Sequence, residues 1–179
     1  IVHASRKGRQ TFNGNNAEFN IQINTEENNQ GLFGYFGLGT IENLYISGTI
    51  KGESNIGGVV GYQESGIVRN VYNLATIEGV SNVGGIVGNM RSGTIRETFN
   101  HAKITSSGQY SGGIVGYAYY NTIIDDNYNR GEIKGSSYVG GIAGAVTSAY
   151  RNNSYLRRNY SASLVSGKSN VAGVVATTG

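Results

Sequence analysis

The sequence predicts an all-β protein: a parallel β-solenoid (β-helix) with about three short strands in each coil of 27–28 residues. Three observations predict it. Helix formers are thin, while 29 Gly, 13 Tyr and abundant Ile, Val, Asn, Ser and Thr occur with no Pro, which suits strands joined by glycine turns. A glycine-aliphatic motif recurs at a nearly constant period. Within each period apolar and polar residues alternate, as a strand with an inside and an outside requires.

Residues 1–30 read as a lead-in coil and residues 31–179 as the array, one continuous domain. The motif appears as GLFG (Gly31–Gly34), GGVVG (Gly57–Gly61), GGIVG (Gly84–Gly88), GGIVG (Gly112–Gly116), GGIAG (Gly140–Gly144) and a degenerate AGVVA (Ala172–Ala176). The glycine before the aliphatic pair falls at 31, 58, 85, 113, 141 and 173, in steps of 27, 27, 28, 28 and 32. Aligned on that period, one column holds Ile41, Val68, Ile95, Ile124 and Leu156. Four residues on stands an aromatic column: Tyr45, Tyr72, Phe99, Tyr128 and Tyr160. A small column follows (Gly48, Ala75, Ala102, Gly131, Ser163), then an aliphatic one (Ile50, Ile77, Ile104, Ile133, Val165). A spacing of two or four places these columns on one face, so the aromatic rings are expected inside.

A unit this short cannot bury its own apolar face. Stacked about 4.8 Å from its neighbours, it pairs each strand with the equivalent strand above and below. The crossover preference makes the stack right-handed. Gly58, Gly85, Gly113 and Gly141 are expected to repeat because they turn a corner, take a positive φ where needed and let the backbone approach the next coil, where a side chain would meet the same residue. A phosphate-cradling loop does not fit, since GGIVG lacks the following Lys and Ser/Thr and no helical pattern succeeds it.

GLFG, SNIGGVVG, NVGGIVG and the spaced TIENLYISGTIKG and VRNVYNLATIEG resemble GLUG repeats. The lead-in TFNGNNAEFNIQINTEENNQGLFG is similar to the coil that precedes such arrays, and the likeness runs from about Thr11 to Gly179. GLUG repeats occur in large bacterial surface proteins, including streptococcal immunoglobulin A1 metallopeptidases and haemagglutinin-like adhesins. The resemblance implies a secreted or cell-surface module, a stalk or adhesin repeat, with no catalytic residues to carry over. The chain opens on Ile and stops at VVATTG, which reads as a fragment of a larger protein whose other domains supply any catalysis.

A net charge of +3 with bases interleaved among acids gives no nucleic-acid footprint. No apolar run is long enough for membrane insertion. The absence of Cys excludes disulfides and thiolate metal sites. His3 and His101 stand apart from any His-Glu-x-x-His, and no Gly-x-Ser-x-Gly is present. Calcium-binding β-rolls repeat an Asp after the glycines, where this chain has Tyr62, Asn89, Tyr117 and Ala145. No cofactor or metal is expected.

The alternative class is a carbohydrate-active β-helix enzyme. Its carboxylates would be Glu97 and Asp126, one coil apart in the column Asn43, Asn70, Glu97, Asp126, Arg158. The preferred reading of that column is a bend with solvated acids and Arg158 paired to Asp126, because two inward carboxylates without a partner are costly. Asp125 and Asp126, adjacent in a strand, are expected to face opposite sides. Outward charges place Glu42 over Arg69, Arg96 beside Asp125, Lys51 over Glu78 and Lys103 by Glu132, pinning register. RKGR (Arg6–Arg9) reads as a solvated terminus, and the sequons at Asn152 and Asn159 fit chance.

Binding is expected in the loops after the glycine motifs, whose lengths vary while the core columns do not. The two longest carry Tyr117, Tyr119, Tyr120, Tyr150, Arg151, Tyr155 and Arg157. Flat rings with nearby Asn and Arg suit a host glycan or a host protein; the plainer reading is that the loop folds back and its tyrosines cover the upper corner of the core. Uncharged AGVVATTG at the end of the chain is also expected to template end-to-end self-association.

Overall fold

In the computed structural model, residues 2–4, 10–148 and 153–179 are described, and these form strands and turns without a helix. Three parallel sheets make the walls of a solenoid. A seven-stranded sheet holds Val2–Ala4 and the strands of the glycine motifs: Phe33–Phe36, Val60–Gln63, Val87–Met90, Val115–Tyr119, Ala143–Thr147 and Val175–Thr178. A five-stranded sheet holds the strands that lead into them, from Ser54–Gly57 to Ser169–Ala172. The remaining strands, from Gln10–Asn24 to Val165–Ser166, form a twelve-stranded wall.

The register follows the sequence columns. Ile41 pairs with Val68, Val68 with Ile95, Ile95 with Ile124 and Ile124 with Leu156. Ile50, Ile77, Ile104, Ile133 and Val165 run in a second unbroken ladder. Both ladders are fully buried in the interior coils, each large aliphatic side chain stabilising the fold by about 1.5–3 kcal/mol. Phe12, Phe19 and Phe33 close the lead-in end, with Phe12 edge-on to Phe33 at 5.1 Å.

The glycine pair is explained by close approach alone. A Cβ on Gly58 would lie 2.5 Å from the carbonyl oxygen of Gly85 and 2.7 Å from the Asn73 side chain. The same collision recurs for Gly85 on Gly113, Gly113 on Gly141 and Gly141 on Gly173. None of these four glycines has a positive φ, so backbone freedom is not what selects them.

The corners are turned by other residues. Each coil has two left-handed positions: the column Asn43, Asn70, Glu97, Asp126, Arg158 and the column Asn29, Asn55, Asn82, Tyr110, Tyr138, Asn170. Asparagine tolerates this conformation better than most residues, and its amides join in ladders, Asn70 to Asn43 and Asn82 to Asn55.

This corner overturns the expected face of the aromatic column. A left-handed residue between Ile41 and Tyr45 inverts the alternation, so Leu44 and Ile46 point inward and Tyr45 outward. Tyr45 and Tyr72 are 37% and 38% exposed, Phe99 and Tyr128 half-buried, and Tyr160 exposed at the end coil. The rings stack outside the wall, 4.9 Å apart for Tyr45–Tyr72 and 5.1 Å for Phe99–Tyr128 and Tyr128–Tyr160. Behind them, inside, runs a ladder of fully buried amides. Asn73 donates to Asn100 at 3.0 Å and Asn100 to Asn129 at 2.8 Å. Each Oδ1 also accepts the backbone N–H two residues on, at Ala75, Ala102 and Gly131, closing a turn.

Candidate functional site

Repeat symmetry breaks most visibly on the outer face of the seven-stranded sheet. One outward column there reads Tyr35, Tyr62, Asn89, Tyr117, Ala145. Tyr35 stacks on Tyr62 at 5.6 Å, and short Asn89 then interrupts the row. Its amide turns aside to Asn55 at 3.0 Å. Strand Val115–Tyr119 alternates, with Ala118 buried and Tyr117 and Tyr119 outside. Tyr119 reaches back across the interruption, and its hydroxyl meets that of Tyr62 at 2.9 Å.

Around this contact the rings form one group. Tyr117 stacks on Tyr119 at 5.4 Å and lies 4.9 Å from Tyr110, which stacks on Tyr138 at 5.0 Å. Tyr120 leans on Tyr119 at 5.3 Å, and the Arg91 guanidinium lies 5.4 Å from its ring centre. Arg91 is also ion-paired to Glu64, which raises its basicity further. Burial, then the hydroxyl contact with Tyr119, pushes the Tyr62 phenol well above its ordinary value. Burial does the same for Tyr110.

Of the residues expected to bind, Tyr117, Tyr119 and Tyr120 come together here. Tyr155 and Arg157 lie on the twelve-stranded wall instead, with Arg157 3.1 Å from the Asp125 carboxylate. Tyr150 and Arg151 lie outside the described residues, as do RKGR and Asn152. Tyr35, Tyr62, Tyr110, Tyr138, Glu64 and Arg91 are additions from the structure. Tyr62 and Tyr117 shared a visible sequence column, but Tyr110 and Tyr138 stand in a column otherwise held by Asn.

The carboxylate column sits on the outer corner. Arg158 binds Asp126 through two nitrogens, at 2.7 and 2.9 Å, and Asp125 at 2.6 Å. Adjacent carboxylates thus converge on one guanidinium, contrary to the alternation expected of a plain strand, because Asp126 is left-handed. The hydrogen bond from Arg158 lowers the Asp126 pKa. Glu97 has Arg96 at 3.7 Å, and Asp125 pairs with Arg157 and Arg158 where Arg96 was expected. The other expected pairs form: Glu42–Arg69, Lys51–Glu78 and Lys103–Glu132. Asn159, in the second sequon, donates its amide to the carbonyls of Ile124 and Arg157.

Residues 52–78, one full period from Gly52 to Glu78, match the GLUG motif. The chain carries a GLUG-motif repeat region. The matched stretch contains the GLUG glycines Gly57, Gly58 and Gly61, the buried Val68 and Ile77, the corner Asn70 and the outward Tyr72. No curated protein and no solved structure matches the chain.

Proposed function

We propose that this GLUG-repeat region is a non-catalytic stalk and adhesive module of a secreted or surface-anchored bacterial protein, with the Tyr117–Tyr119–Tyr120 face as its contact surface for host glycan or host protein. One observation carries the reading: Tyr110 and Tyr138 occupy left-handed positions where other coils place Asn. Such a backbone costs a bulky residue about 1–3 kcal/mol, and the cost is characteristic of residues kept for function. Both rings extend the tyrosine face. Tyr120 is exposed and Tyr110, Tyr117, Tyr119 and Tyr138 are half-buried, so the face offers flat ring area at low entropy loss.

A glycosidase is disfavoured by geometry. Both Asp126 oxygens are held by Arg158, and the two carboxylates stand out in solvent, Glu97 53% and Asp126 44% exposed. Glycan arrays and host-protein binding, run on the chain and on Tyr119→Ala, Tyr120→Ala and Tyr110→Asn, test the proposal. Loss of about tenfold or more in affinity, or about 1.4 kcal/mol, is expected for each variant. A ligand bound normally by all three puts the site elsewhere. Polysaccharide cleavage abolished by Glu97→Gln overturns the non-catalytic reading.

A further inference from the structure

The Tyr62–Tyr119 contact differs in kind from the other tyrosine pairs. Tyr45–Tyr72 and Tyr128–Tyr160 belong to adjacent coils and lie face to face, with interplanar angles of 17° and 11°. Tyr62 and Tyr119 come from coils two apart and meet at their hydroxyls, 2.9 Å from oxygen to oxygen. In a phenol dimer joined ortho to ortho, the hydroxyls flank the new bond and hydrogen-bond to each other. The native contact already holds the two hydroxyls in that relation, and turning the rings about it brings an ortho carbon, Cε, of each phenol within reach of the other.

From this geometry we infer that Tyr62 and Tyr119 form an oxidative cross-linking site, closing to a dityrosine in the presence of a one-electron oxidant of the peroxidase-and-peroxide class. Each phenol gives up one electron and one proton. The two phenoxyl radicals join through a Cε–Cε bond, and the hydrogen displaced from each carbon moves to its oxygen, restoring both phenols. The chain loses two hydrogen atoms in all, and one hydrogen peroxide accepts them to give two waters.

The surroundings favour this pair. Both rings are half-buried, which hinders coupling between molecules, while Tyr120 is 37% exposed and touches Tyr119 at 5.3 Å. A radical generated at Tyr120 can pass inward to Tyr119 through that contact. The bond would tie the coil of Tyr62 to the coil of Tyr119 across the one between, in a chain with no Cys to make a disulfide. It would act as a staple along the direction in which a stalk is pulled.

Treatment of the folded chain with peroxidase and hydrogen peroxide, followed by trypsin and mass spectrometry, tests the proposal. The expected product joins peptide 52–69 to peptide 104–130, two hydrogens lighter than their sum, with dityrosine fluorescence in the monomeric fraction. Tyr119→Phe and Tyr62→Phe should each remove that product, while Tyr117→Phe leaves it. A melting temperature raised in the cross-linked monomer is the expected stability readout. The proposal fails if the 52–69/104–130 species is absent, persists in Tyr119→Phe, or is no more abundant than in chain oxidised in denaturant. Because Phe preserves the ring, loss of the product in a variant that melts normally reports on chemistry and not on folding.

Discussion

At the scale of single residues, two small side chains shape this solenoid for different reasons. The second glycine of each pair is selected by space: its missing Cβ leaves room for the carbonyl of the equivalent glycine one coil on. Asparagine is selected by hydrogen bonding, at left-handed corners outside and in the amide ladder inside. The steric role of the glycines was legible in the sequence, because the motif repeats and a collision between coils must repeat with it. The inner Asn73–Asn100–Asn129 ladder is not legible in the sequence, although Asn follows the aromatic residue in three successive coils. A buried amide looks like a surface one until a partner is placed beside it. Gly173 is an internal control: a Cβ on Gly85 would strike Gly113, whereas a Cβ on Gly173, in the same column, meets nothing within 4 Å. Gly85→Val is therefore expected to abolish the cooperative thermal transition and the β circular dichroism signal, while Gly173→Ala melts within a few degrees of the parent. Equal behaviour of the two variants would rule out the carbonyl contact as the reason for the motif.

At the scale of the coil, period and register were readable, including the 32-residue step that still sets Leu156 on Ile124. Identical columns can be aligned without knowing any dihedral angle. The side on which the aromatic column lies was not readable by the same logic, because alternation assumes extended backbone throughout. One left-handed residue at Asn43, Asn70, Glu97, Asp126 or Arg158 reverses inside and outside for everything after it until the next corner. Three of those five residues are Asn or Asp, so a corner was hinted, but Glu97 and Arg158 obscured it. Only part of the tyrosine face was legible, since it depends on Tyr119 reaching across the coil of Asn89 to Tyr62. The corrected placement changes the expected energetics of the aromatic column. As a core ring, Phe99→Ala would cost about 3–5 kcal/mol. As a half-buried ring between Tyr72 and Tyr128, with His101 edge-on, it should cost about 1–2 kcal/mol, the loss of three ring contacts and some covered area. Ile95→Ala, from the fully buried ladder, should cost about 2–5 kcal/mol in the same denaturant titration. Phe99→Ala as damaging as Ile95→Ala would return the ring to the interior.

At the scale of the whole molecule, the two ends of the solenoid are unlike. The lead-in end sets phenylalanine rings against the first coil, with Phe12 contacting Phe19 and Phe33. The other end presents the core columns themselves. Val139 and Ile142 are fully buried in their coil, while Val171 and Val174, one coil further on, are 42% and 43% exposed. Val165 is half-buried where its neighbour Ile133 is fully buried. These valines are flanked by strand edges of Val165–Ser166, Ser169–Ala172 and Val175–Thr178, each with one neighbour in its sheet. Unpaired parallel edges beside uncovered apolar side chains are a template for further strands. An isolated polypeptide of these 179 residues is accordingly expected to self-associate through this face as its concentration rises. Sedimentation velocity should show a concentration-dependent shift to larger species. The double substitution Val171→Lys, Val174→Lys should suppress it without lowering the melting temperature, because neither side chain has a coil above it to support. A strictly monomeric parent at millimolar concentration, or association that survives the double substitution, would place the contact on another surface.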